Sequence, residues 1–306
     1  MSTSAVTVTG LTKQYGRRTA VDRLDIDLPA GVVAGFIGPN GAGKTTTMAM
    51  LLGLVRPTSG SGWVLGEPLA DPASYLPRVG ALVESPAFYP SLSGAENLAL
   101  FARVGARDPA AIEQVLATVG LSDRAGDRYR TYSLGMKQRL GIAAALIGEP
   151  ELLILDEPAN GLDPQGVRDI RGLVGSLAGT GRTVLVSSHD LSELEQICDW
   201  LVLIDGGRSL YQGPTRGLLD GATRGIAVAP ERAADANALR LVLGGHGFEL
   251  EPGDAIVVSV DGHDAAKLAA SINRVSFDAG IVLAELSHQR TTLEDRYLAM
   301  AEGGSP

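Results

Sequence analysis

A single cysteine, Cys198, excludes an internal disulfide and any cysteine-rich zinc site. It stands in an apolar-flanked stretch, Ile197-Cys198-Asp199, and reads as a buried, inert thiol. No apolar run approaches the roughly 20 residues that a helix needs to cross a bilayer. Any membrane role is therefore expected to come through a partner. The N-terminus, Met1-Ser2-Thr3-Ser4, has no basic region followed by an apolar core, so no signal peptide is expected and a cytosolic location is. Positive charge is scarce too: 26 Lys and Arg stand against 35 Asp and Glu, a net charge of -9. That argues against a nucleic-acid partner, whose footprint is usually a basic face. Long repeats and low-complexity tracts are absent.

What remains is an ordinary globular composition, 45% hydrophobic and 20% charged in 306 residues, long enough for about two domains. One stretch organises it: Phe36-Ile37-Gly38-Pro39-Asn40-Gly41-Ala42-Gly43-Lys44-Thr45-Thr46. An apolar, β-branched run, Val32 to Ile37, leads in, and Met48, Leu51 and Leu52 follow at helical spacing, which predicts strand, glycine loop, helix. Gly38, Gly41 and Gly43 let the backbone turn tightly and aim several N–H groups at one point, at the positive end of the helix that Lys44 opens. Lys44 can reach β- and γ-phosphate oxygens, and the Thr45 hydroxyl can ligate Mg²⁺.

Around this loop the pattern alternates. Ala5 to Leu11 and Leu24 to Leu28 read as half-buried strands of an antiparallel edge. Pro57 to Gly62 reads as a loop, and Val79 to Val83 as a short strand ending at Glu84. Ser93 with Glu96 makes a capping box for a helix from Ala95 to Val104. Asp108-Pro109 opens a further helix that Gly120 ends, and Leu134 to Ile147 is helical. Leu152 to Leu155 and Val184 to Val186 read as buried strands, and Leu201 to Ile204 with Ser209 to Tyr211 as a hairpin. Strands alternating with helices predict an α/β fold with a mostly parallel sheet, ligands lying beyond the carboxyl ends of its strands. Gly38, Asp156 and His189 all fall there. The run from Gly213-Pro214 to Gly225 reads as a linker. Beyond it, short elements over 226–306 predict a small α+β domain, ferredoxin-like in order.

Four apolar residues followed by Asp156-Glu157 supply a second half to the site. An acidic pair after a strand is commonplace; after a phosphate loop, Asp156 suits Mg²⁺ and Glu157 suits the attacking water. His189, ending a strand beside them, suits the γ-phosphate and the same water.

Taken in order, these stretches resemble the ATP-binding subunit of an ABC transporter, over roughly residues 5–215. The diagnostic element is Tyr132-Ser133-Leu134-Gly135-Met136-Lys137-Gln138-Arg139, similar to the family's signature; Gly161-Leu162-Asp163 lies between the carboxylates and His189. The resemblance implies a P-loop ATPase core over 1–215, with a helical subdomain at about 85–150, a linker over 216–225 and the C-terminal domain over 226–306. It implies ATP and Mg²⁺ as ligands and a head-to-tail dimer, ATP lying between the phosphate loop (Gly38, Pro39, Asn40, Gly41, Ala42, Gly43, Lys44, Thr45, Thr46) and the partner's signature. Ser133 and Gly135 would then face the γ-phosphate at a helix N-terminus. Tyr15 would stack on adenine. Asp163 would cross the interface, although capping its own helix is an equal role for it.

Where the family mostly carries glutamine, this chain has Glu84, which would offer Mg²⁺ a charged oxygen and repel the γ-phosphate. The run Gly80 to Pro90 and the tail Leu293-Glu294-Asp295-Arg296-Tyr297-Leu298 are similar to a branch exporting peptide antibiotics and other drugs, including bacitracin and lantibiotic immunity systems. Such subunits pair with a separately encoded transmembrane permease, which implies a peripheral place at the inner face of the cell membrane. Phe88, Tyr89 and Leu92 would be the docking surface, or else core. Arg128, Arg130, Lys137 and Arg139 would draw in ATP, or else form a solvated basic face. An importer subunit and a soluble ABC-type ATPase are the alternatives.

Overall fold

The computed structural model describes residues 4–83, 87–179, 181–219, 223–260, 264–290 and 292–303. They form two compact units, one running to Leu218 and resuming at Tyr297, the other Leu219–Arg296.

The first unit opens with β1 (Ser4–Tyr15) and β2 (Arg18–Pro29), paired antiparallel across a two-residue turn, with Tyr15 and Arg18 opposite one another. Next come β3 (Val33–Ile37), α1 (Lys44–Leu51), β4 (Ser59–Val64), β5 (Glu67–Pro68), α2 (Pro72–Tyr75) and β6 (Val79–Leu82). A helical layer follows: α3 (Gly94–Val104), α4 (Ala111–Thr118) and α5 (Leu134–Leu146). The chain then alternates through β7 (Leu152–Leu155), α6 (Pro164–Ala178), β8 (Thr183–Ser188), α7 (Leu191–Glu195), β9 (Trp200–Asp205), β10 (Arg208–Pro214) and α8 (Thr215–Leu219).

Two sheets result. One is antiparallel in the order β2-β1-β4-β5; the other has the order β10-β9-β3-β8-β7-β6 and is parallel apart from β10. The apolar runs of β3 and β7 are buried along their whole length, as strands covered on both faces must be. Phe36, Met48, Leu51, Ile154 and Val202 share one core with Val8 and Leu24 of the smaller sheet. Because β3, β7 and β8 run parallel, the loops after Ile37, Leu155 and Ser188 all emerge at one edge. That edge carries the site.

Between β6 and β7, helices α3, α4 and α5 pack on one another. The capping box at α3 is present: Glu96 N–H donates to Ser93 Oγ at 3.2 Å, and Ser93 N–H to Glu96 Oε2 at 2.7 Å. Phe88 belongs to this layer's core, edge-on to Phe101 and Tyr129, which removes it from the expected docking surface. Tyr89 beside it is exposed and Leu92 half-buried.

Residues 59–62, expected to be loop, begin β4 instead. A Cβ at Gly60 would lie 2.5 Å from Gly10 O, and one at Gly62 would lie 2.4 Å from Thr7 O. The glycines that looked like turn signals are there because β1 passes so close. Around the expected linker, α8 runs to Leu219 and β11 begins at Thr223; residues 220–222 lie outside the described residues.

The second unit contains β11 (Thr223–Pro230), α9 (Ala236–Gly245), β12 (Ile256–Ser259), α10 (Ala265–Asp278) and β13 (Leu283–Arg290); α11 (Leu293–Gly303) ends the chain. Its antiparallel sheet has the order β12-β11-β13, and a bridge between Leu250 and Val258 adds the trace of a fourth strand. Counting that bridge, the order is βαββαβ, that of a ferredoxin-like unit. Ile226, Val228, Leu239, Leu243, Val258 and Ile272 fill its core.

Candidate active site

Helix α1 differs from its neighbours at the N-terminus. Ser133, Asp163 and Asp190 cap α5, α6 and α7 with side-chain oxygens, whereas α1 starts from Gly43 (φ 103°) with no side-chain cap and no acidic residue in its first turn. Its first N–H groups keep their positive end open, which is what an anion needs. The loop before it admits little else: a Cβ at Gly38 would lie 2.3 Å from Ile204 O, and one at Gly43 2.6 Å from Ala20 O.

Lys44 is buried, and its Nζ donates to Gly38 O at 2.6 Å while lying 3.3 Å from Glu157 Oε1. The Thr45 hydroxyl donates to Asp156 Oδ2 at 2.7 Å. The Ser187 hydroxyl donates to Asp156 Oδ1 at 2.5 Å and accepts from Glu157 N–H at 2.9 Å, so one serine holds both acidic residues in register. Glu157 has a left-handed φ of 47°, rare for a side-chain-bearing residue. Its Oε2 lies 2.8 Å from His189 Nδ1. Thr45 and Asp156 together present hydroxyl and carboxylate oxygens, a donor set suited to a hard divalent cation. Among the described residues no group of three or more His, Cys, Asp or Glu could hold a metal unaided.

An open cleft of about 560 Å³ lies over these groups, lined by Tyr15, Pro39, Asn40, Gly41, Gly43, Lys44, Thr45, Thr46, Glu157 and His189 of the expected set. Tyr15 is half exposed, with Lys13 Nζ 5.0 Å from its ring centroid. The sequence reading missed three participants. Arg18 lines the cleft and has the atom nearest to a Cβ built at Gly41; its position opposite Tyr15 in the hairpin was the available signal. Ser187 closes the apolar run of β8 and Asn160 follows the acidic pair; neither had a signal of its own.

Gly38, Ala42 and Asp156 are not among the residues lining the cleft, although Asp156 is bonded to Thr45 there; Ser133, Asp163 and Gly135 lie outside it as well. Ser133 Oγ accepts from Met136 N–H at 3.2 Å, and Asp163 Oδ1 accepts from Gly166 N–H at 2.7 Å, so each caps its own helix. A Cβ at Gly135 would meet only Leu162 Cδ2, at 3.8 Å, so nothing within the chain requires a glycine there. Arg128, Arg130, Lys137 and Arg139 do not line the cleft either, and Lys137 Nζ lies over the Tyr129 ring. Glu84 lies outside the described residues. Cys198 is buried, and burial raises its thiol well above the usual range.

Fold and site together define a phosphate-loop nucleotide hydrolase. The ABC transporter family model matches residues 21–160. The bacitracin transport ATP-binding protein BcrA of Bacillus licheniformis is 39% identical over 306 residues, 98% of this chain and 98% of that protein. The daunorubicin resistance ATP-binding protein DrrA3 of Streptomyces coeruleorubidus is 36% identical over 305 residues, covering 97% and 96%. A solved ATP-binding subunit of an ABC transporter superposes with a TM-score of 0.64 at 30% identity, over 72% of this chain and 95% of that one. The chain belongs to the ABC transporter family, as an ATP-binding subunit, and it is an ATP hydrolase.

Proposed function

We propose that this chain is the motor of an exporter of a peptide antibiotic or other drug, working as a head-to-tail dimer on a separately encoded transmembrane permease. The observation that carries the reading is the split in the site. Lys44, Thr45, Glu157 and His189 line one cleft, with Asp156 bonded to Thr45 there, while Ser133 and Gly135 lie outside it, Ser133 capping α5 and Gly135 touching nothing in its own chain that requires a glycine.

In this reading the phosphates of ATP accept from the N–H groups of Gly41 to Thr46, and Lys44 turns from Gly38 O to the β- and γ-phosphates. Thr45 and Asp156, with Glu84, hold Mg²⁺, which supplies positive charge against the phosphate oxygens. Glu157 takes a proton from the attacking water, and His189 fixes the carboxylate and contacts the γ-phosphate. Ser133 and Gly135 of a second copy complete the γ-phosphate's shell. Among the described residues no helix is long and apolar enough to cross a membrane. In this reading the subunit sits at the inner membrane face through the permease, with exposed Tyr89 in the contact. Export is favoured by the names of the full-length relatives, which refer to bacitracin transport and daunorubicin resistance.

The test is co-expression of the chain with its permease in a sensitive host, wild type against Glu157→Gln, over a panel of peptide antibiotics and anthracyclines. Raised resistance to at least one compound with the wild type alone is expected. Unchanged sensitivity across the panel overturns export.

A further inference from the structure

A second cavity lies behind the catalytic loop. It occupies about 210 Å³ between that loop, α6, the end of β8 and α7, and its floor is apolar: Ile170, Val174, Val186 and Leu194. An apolar cavity of about 150 Å³ is enough to take up benzene. This one has room for a phenyl ring with a short chain.

Its charges are unequal. Glu157, Asp190 and Glu193 line it against a single guanidinium, that of Arg171, and the His189 ring. Glu157 is engaged with Lys44 and His189, and Asp190 caps α7. The Glu193 carboxylate, on a half-buried lining residue, has no hydrogen bond or ion pair among the described residues, and neither has Arg171. Burial, then the nearby Asp190, raises the Glu193 carboxyl above its ordinary value, outweighing the opposite pull of His189 and Arg171; a cation in direct contact would relieve the remaining effect. An apolar floor under a carboxylate that makes no hydrogen bond or ion pair among the described residues selects a compact organic cation.

The cavity is also placed to act on the reaction. Glu157, Asn160 and His189 line both it and the nucleotide cleft, so the two share a wall built from the residues that handle the attacking water. Glu157 holds a left-handed backbone conformation, which a filled cavity would either brace or oppose. We infer that this cavity is a regulatory site for a small organic cation with an apolar body, whose binding changes the rate of ATP hydrolysis through the Glu157–Asn160 loop. The regulatory part rests on Glu157 acting as proposed above; binding itself does not.

The probe is 2-phenylethylammonium, with 3-phenylpropionate as its anionic counterpart, on the full-length chain. Binding is read by ligand-observed NMR with and without ATP, and ATPase rate is read separately. Expected is binding of the ammonium but not of the carboxylate, undisplaced by ATP, and a change in kcat of about fivefold or more at saturating probe. Glu193→Gln should weaken binding at least about tenfold, the loss of one charge-assisted contact. Val167→Trp, at a half-buried lining position, should fill the cavity and abolish binding. If this variant is misfolded, the comparison rests on Glu193→Gln. No binding of the ammonium at millimolar concentration, equal binding of the carboxylate, or binding unchanged in Glu193→Gln overturns the site. Binding as expected with kcat unaltered overturns its regulatory role and leaves the reading of the ATPase intact. An active Glu157→Gln enzyme would overturn that reading and leave the binding result standing.

Discussion

His189 Nδ1 and Glu157 Oε2 stand 2.8 Å apart, while the other oxygen of the same carboxylate is 3.3 Å from Lys44 Nζ. The proposed base is thus held from two sides, by an imidazole and by the lysine of the phosphate loop. Glu157→Gln removes the proton acceptor and keeps the shape. Its kcat should fall by about 10²–10⁴-fold with ATP affinity nearly unchanged. If His189 acts through Glu157, His189→Ala lowers kcat as well, but the double mutant is no slower than Glu157→Gln alone. Single-turnover kinetics on the three variants would show it; additive losses would give the histidine an independent task.

Thr45 and Asp156 are joined by a 2.7 Å hydrogen bond, and Ser187 occupies the remaining oxygen of the carboxylate. Thr45→Ala deletes both a proposed Mg²⁺ ligand and a charge-assisted bond, about 1.5–3 kcal/mol for the latter. Calorimetric titration should record weaker ATP binding that added Mg²⁺ restores only partly, whereas Thr45→Ser should bind like wild type. Equal affinity for all three proteins would exclude Thr45 from the cation's shell.

The parts of this site legible in the sequence were those whose chemistry is local. A glycine loop between strand and helix, or an acidic pair after four apolar residues, carries its meaning within a few positions, and Gly38 to Thr46 and Asp156-Glu157 lie where those patterns put them. Contacts made across the fold left no such mark. Ser187 reaches Asp156 from another strand, 31 positions away. Glycine was ambiguous for the same reason: Gly60 and Gly62 looked like a turn, and only the nearness of β1 shows them to be strand. Phe88 and Tyr89 make the point for surfaces. Adjacent aromatics read alike, and the helical layer takes one into its core and leaves the other in solvent.

The capping box of α3 makes stability depend on acid. The Ser93 backbone N–H, and then its side chain, hold the Glu96 carboxyl below its ordinary value of 4.5. A carboxyl with a lowered folded pKa contributes stability above its unfolded pKa and loses it as pH falls through the folded one. Glu96→Gln cannot ionise and serves as reference. The stability gap between wild type and this variant should be constant well above the ordinary value of 4.5 and should close as pH falls below it and through the lowered folded value. Urea melts at several pH values measure it; a gap that persists at low pH would assign the effect to packing.

Gly135 separates a structural role from an intermolecular one. Most buried glycines of this site are needed by their own chain, as at Gly38, where a Cβ would run into Ile204 O. At Gly135 the added atom would touch only Leu162 Cδ2, at the ordinary contact distance of 3.8 Å. Gly135→Val should therefore leave the melting curve within about ±0.5 kcal/mol of wild type, as at other surface positions. If a second copy brings its nucleotide against this helix end, the same side chain blocks the approach. Sedimentation of Glu157→Gln with ATP should show a dimer, and Glu157→Gln with Gly135→Val should remain monomeric while binding ATP in its own cleft. A dimer that forms in both, or one that forms without nucleotide, would place the contact on another surface and detach Ser133 and Gly135 from the γ-phosphate.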